Sequence, residues 1–144
     1  MKTRVLAFLL LAVCAAPQGV TAQCNVNTSS VAFGDYDIFR VQPTNSTGSV
    51  LVSCDVEVTY TITLSTGAGG SYSSRSLMNG ARVLAYNLYI DSSRMTIWGD
   101  GTGETSFLSA TGTVGNHAVY GSIPARQNAA VGFYTDTITV TLTF

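Results

Sequence analysis

The chain has 144 residues, 46% of them hydrophobic and 10% charged, with a formal net charge of −1. That hydrophobicity excludes a disordered chain, with Ser and Thr filling solvent-facing positions instead of charge, and the length suits a single domain. Beyond residue 22 the cations are Arg40, Arg75, Arg82, Arg94 and Arg126 with no lysine, so there is no basic patch for nucleic acid.

In chain order, Lys2 and Arg4 precede an apolar run, Val5 to Ala16, followed by the small-residue site Val20, Thr21, Ala22. Residues 1–22 therefore read as a secretory signal peptide and residues 23–144 as the mature domain. The run is too short for a bilayer, which needs about 20 apolar residues, and no second candidate follows, so no membrane span is expected after cleavage. Leu11, Ala12, Val13 and Cys14 offer a lipoprotein alternative, weakened by the bulk of Val13 before the cysteine. The mature chain keeps Cys24 and Cys54, an even pair in an oxidising compartment, and a disulfide is expected. Closing a loop of about 31 residues contributes on the order of 3–4 kcal/mol in the chain-entropy description.

Alternation of period two then recurs, the pattern of strands with one buried face. Val31–Phe33 and Val50–Cys54 are short runs, and Val56, Val58, Tyr60, Ile62 and Leu64 alternate cleanly with Glu57, Thr59, Thr61 and Thr63. Segment 66–82 has the weakest pattern. Leu84, Tyr86, Leu88 and Ile90 alternate again, followed by Met95–Trp98, Val119–Ile123 and the terminal "TDTITVTLTF", residues 135–144. Gly-rich stretches at 65–71, 99–105 and 110–116 read as turns between them. About seven short strands with one disulfide predict an all-β, immunoglobulin-like sandwich, with a barrel as the other architecture the composition allows.

No catalytic constellation emerges. His117 is the single histidine, in a Gly/Asn context read as a surface turn, with no nucleophile elbow or protease triad around it. Asp100 and Glu104 in "GDGTGET" lack the alternating ligands of a calcium loop, and no helix pattern follows those glycines to bind phosphate. Asn27 and Asn45 lie in N-x-[ST] sequons. No enzyme activity, metal or cofactor is expected. Trp98, with Tyr89 on the outward parity, is a candidate surface contact for a sugar, core packing being the other reading. The terminal strand carries an apolar face on Ile138, Val140, Leu142 and Phe144, without the charge, proline or covering element that normally blunts an edge.

The stretches "CNVNTSSVAFGDYD", "GSVLVSC", "YTITLSTG", "RSLMNG", "LAYNLYIDSSRMTIWGDGTG" and "VYGSIPARQNAAVGFYTDTITVTLTF" resemble the spore coat protein U family, related to subunits of archaic chaperone-usher pili. The resemblance spans Cys24 to Phe144, and "YNLY…WGDG" with the Gly132–Thr137 segment is its most specific part. It implies an incomplete immunoglobulin-like sandwich lacking its last strand, with an apolar groove beside the C-terminal strand. A periplasmic chaperone would fill that groove first, and a segment of a neighbouring pilin-like subunit would replace it at an outer-membrane usher, by β-strand addition. Mapped here, Tyr134, Ile138, Val140, Leu142 and Phe144 border the groove, and Cys24 with Cys54 forms the family's disulfide. Leaving Ile138, Val140, Leu142 and Phe144 unpacked forgoes roughly 1.5–3 kcal/mol each, comparable with a domain's net stability. The implied role is a secreted structural subunit of a fibre or spore coat, with a carbohydrate-binding or adhesive sandwich around Trp98 as the alternative. Cleavage after Ala22 would leave only Gln23 before Cys24, so the sequence predicts an acceptor without a donor segment, at a terminus of its assembly.

Overall fold

The computed structural model describes residues 21–144; the expected signal peptide lies, up to residue 20, outside the described residues. Six strands make up the regular structure: β1 (Cys24–Ser29), β2 (Thr44–Leu64), β3 (Arg75–Asn79), β4 (Arg82–Tyr89), β5 (Leu108–Ile123) and β6 (Val140–Thr143). They form one curled antiparallel sheet in the order β1-β2-β5-β4-β3, with β6 also on β2. The fold is all-β and immunoglobulin-like.

The seven runs of the sequence reading become six strands: 50–54 and 56–64 fuse, 31–33 and 95–98 form no strand, the terminal run is a strand only over Val140–Thr143, and β1 and β3 arise where no run was read. β2 fuses Val50–Cys54 with the 56–64 alternation and extends back to Thr44. Its pairing with β5 slips between Ser53 and Val58, where residues 54–57 bulge opposite Thr113. Such a bulge bends a strand and adds twist, so one chain segment serves both halves of the curled sheet. Val56 sits in the bulge and is 37% exposed, not on the buried face its parity predicted. β5 absorbs 110–116, the stretch read as a turn. A side chain at Gly115 would collide with the Tyr60 hydroxyl and the His117 ring, so this glycine makes room within a strand rather than ending one. His117 accordingly lies in β5, half-buried, and shares a 2.9 Å hydrogen bond with the Tyr60 hydroxyl.

Val31–Phe33 belongs to no strand, and Met95–Trp98 contributes only the isolated bridges Tyr89–Ile97 and Trp98–Ser106. Conversely, β3 arises in the weakly patterned 66–82 segment. The core joins Val50, Val52, Tyr60, Ile62 and Leu64 of β2 to Leu84, Tyr86 and Leu88 of β4, with Trp98, Val119 and Ile123. Cys24 faces Cys54 across the β1–β2 ladder and is disulfide-bonded to it.

A candidate strand-accepting groove

β2 has β5 along one side for most of its length. On its other side β1 pairs with residues 49–54 and β6 with residues 61–64. The chain segments that adjoin these two strands, 28–38 and 134–140, do not pair with each other. A trough runs between them in two joined sections of about 300 and 900 Å³, which share Ser30, Val31, Phe33, Leu77 and Asp136 in their linings.

One wall is the segment after β1. The Ser46 hydroxyl donates to the Ala32 carbonyl at 2.6 Å. A Cβ at Gly121 would lie 2.6 Å from Val31 and 2.7 Å from Phe33, and one at Gly48 would lie 2.7 Å from the Ser29 carbonyl. The missing side chains let this wall settle against β2 and β5. Farther along, the Tyr36 hydroxyl donates to the Pro124 carbonyl at 2.7 Å and accepts from the Gln127 N–H at 2.8 Å. Gln127 in turn exchanges two hydrogen bonds with the Ala85 backbone of β4.

The second wall is the terminal segment, which changes partner as it runs. Thr135 exchanges two backbone hydrogen bonds with Met78 of β3, at 2.8 and 3.0 Å. Four residues on, Ser65 N–H donates to the Thr139 carbonyl at 3.0 Å and Thr139 N–H to the Ser65 hydroxyl at 2.9 Å, and the register continues as Thr63↔Thr141 and Thr61↔Thr143. In an antiparallel ladder the hydrogen-bonding direction alternates by residue. Thr139, Thr141 and Thr143 therefore turn their N–H and C=O groups to β2, while those of Ile138, Val140 and Leu142 point to the unpaired edge beside the trough.

The floor is apolar: Val50, Leu64, Leu77, Leu88 and Val119, with Tyr86. Of the five residues that the resemblance maps to the groove, Ile138 and Val140 line one section and Tyr134 the other. Leu142 packs against the core without lining the trough, and Phe144 is 54% exposed.

Two polar residues that sequence patterning passed over hold the terminal wall. Asp136 Oδ1 accepts from the N–H groups of Ala68 and Thr137, both at 2.8 Å, and Oδ2 accepts from the Tyr86 hydroxyl at 2.7 Å. Burial, then the bond to this carboxylate, pushes the Tyr86 phenol far above its ordinary pKa, so Tyr86 keeps its proton and donates. Gly67, with φ +69°, approaches so closely that a Cβ there would overlap the Asp136 carboxylate. Arg75 is fully buried: its Nε and Nη2 donate to the Ser65 carbonyl at 3.0 and 2.9 Å, Nη2 also to the Trp98 carbonyl at 2.6 Å, and Nη1 to Asn87 Oδ1 at 2.7 Å. Burial lowers its pKa from the ordinary arginine value. Arg75 thus ties β3 to the end of β2 where Thr139 docks. The one legible signal for it was a cation in an otherwise nearly charge-free stretch.

Trp98 is not a surface contact. It is 0% exposed, and its indole N–H donates to the Ile62 carbonyl at 2.9 Å. A large ring with a satisfied donor belongs to the core, and Trp98 offers no surface on which a sugar could stack. Among the described residues no group of three or more His, Cys, Asp or Glu could hold a metal ion.

The profile of the Spore Coat Protein U domain matches residues 10–141. Protein U of Myxococcus xanthus is 35% identical over 125 residues, which cover 78% of this chain and 70% of that protein. Among solved structures, the crystal structure of the CsuC-CsuE chaperone-tip adhesion subunit pre-assembly complex, from archaic chaperone-usher Csu pili of Acinetobacter baumannii, matches with a TM-score of 0.63 and 25% identity over 87% of this chain. The chain spans 40% of the matched chain's length. The chain belongs to the Spore Coat Protein U domain family.

Proposed function

We propose that this protein is a secreted structural subunit of a bacterial surface assembly, an archaic chaperone-usher fibre or a spore coat. In this reading it exports behind its N-terminal signal peptide, passes through the periplasm and joins its assembly by accepting an extended strand from a partner. The observation that carries the reading is the coincidence of an apolar trough with an unpaired strand edge on its wall. The backbone groups of Ile138 and Val140 offer a ladder for main-chain hydrogen bonds, and Val50, Leu64, Leu88 and Val119 offer surfaces for alternate side chains. The occupant is first a periplasmic chaperone and then a neighbouring pilin-like subunit delivered at an outer-membrane usher. Membership of the Spore Coat Protein U domain family and the likeness to a subunit solved with its chaperone support it. The role is structural rather than enzymatic.

A trough with this apolar floor also implies dependence on the partner. Burying one large apolar side chain is worth roughly 1.5–3 kcal/mol, so a strand that inserts several adds a sizeable part of the stability of a small domain. Expression in a Gram-negative periplasm with and without a co-expressed chaperone of the archaic chaperone-usher class tests this. A one-to-one complex recovered in higher yield and unfolding at higher urea than the free subunit is expected; a free monomer whose yield and stability are unchanged by the chaperone contradicts it.

A further inference from the structure

The trough is apolar along its floor, yet one carboxylate stands at the junction of its two sections. Asp136 lines both of them, and every charged residue lining the trough is acidic, the others being Asp35 and Asp37 at one end. Asp136 is held in place rather than loosely exposed, since it accepts from Ala68 N–H, Thr137 N–H and the Tyr86 hydroxyl. An ionised carboxylate has about four lone-pair sites. Two bonds fall on Oδ1 and one on Oδ2, so Oδ2 keeps one acceptor site, and none of the three donors is a cation.

A wholly apolar strand laid over this point would strip water from a charged oxygen and return nothing, a costly arrangement. We infer that the groove selects an extended partner segment whose alternating apolar residues are interrupted by one hydrogen-bond donor, cationic or amide, placed opposite Asp136. This rests on the strand-accepting function proposed above and adds the partner's sequence requirement. The interruption fixes register: a slip by two residues would put an apolar side chain on the carboxylate and the donor on the apolar floor.

The test uses the full mature chain with a strand of alternating Val and Thr appended after Phe144 through a short Gly/Ser linker. Each inward-facing position is set in turn to Leu, Asn, Lys or Glu, and the folding equilibrium constant is measured by urea denaturation. At one position Lys and Asn are expected to exceed Leu by roughly tenfold, the scale of a hydrogen bond to a charged group, with Glu the worst. In the Asp136→Asn chain the advantage of Lys over Leu should shrink to about threefold or less, as expected of neutral hydrogen bonds. The Lys against Glu contrast in the unaltered chain stands even if Asp136→Asn folds poorly. Leu best at every position, or a Lys preference that persists without Asp136, overturns the inference. Stabilisation by apolar strands without a donor position sinks this inference alone, whereas no stabilisation by any appended strand sinks the strand-accepting function itself.

Discussion

His117 and Tyr60 share their hydrogen bond at the edge of the core, and burial holds the His117 pKa below its ordinary value of 6.5. The folded protein therefore takes up the proton less readily than the unfolded chain does. Stability from this site is fully present above the ordinary histidine pKa and is lost as pH falls toward the lowered folded value. Urea unfolding measured between pH ~8 and ~5 should show stability decreasing with acidification, and His117→Gln should flatten that slope; an unchanged slope in the variant contradicts the assignment. Asp91 and Asp100 act in a separate window. Hydrogen bonds, led by those from Ser93 and Thr102, lower their pKa values, so their contributions persist above the ordinary carboxylate range and disappear only in stronger acid.

At the scale of elements, the groove exists because two segments that could have met are held apart on a shared floor. Val31 and Phe33 pack where Gly121 has no side chain. Gly121→Val should overpack this contact, lowering stability by about 1–3 kcal/mol and displacing the wall, so that partner capture weakens as well. Denaturation midpoints and partner pull-down check both effects, and wild-type behaviour in both would show that the wall does not depend on this contact. The terminal wall was legible in the sequence because its Thr/apolar alternation states which face is buried, and the even-numbered residues 138, 140 and 142 do pack on the core. The opposite wall was not. Val31–Phe33 has strand-like alternation but lacks a ladder partner, a matter of distant chain placement that local pattern does not encode. The same holds for 110–116, where Gly115, which resembles turn punctuation, instead makes room for the Tyr60 hydroxyl and the His117 ring. Arg75 and Asp136 escaped because charge in a strand normally means solvent; here each is satisfied by groups brought from several elements.

On the scale of the molecule, a β1 edge stapled by Cys24–Cys54 and a β6 edge paired only to β2 flank the trough. Exposed Val131 and Phe133, 99% and 95% accessible, lie along the same trough and extend its apolar surface. In the proposed function the edge of the terminal wall takes a strand from another molecule, which predicts alternating amide protection residue by residue. Amide hydrogen exchange resolved along 138–143 tests it most directly, comparing the protein alone with its chaperone or subunit complex. Alone, Thr139, Thr141 and Thr143, whose N–H groups face β2, should be protected while Ile138, Val140 and Leu142 exchange fast; in the complex Ile138 and Val140 should become protected too. Protection of Ile138 and Val140 already in the isolated protein, or their continued fast exchange in the complex, would contradict the account.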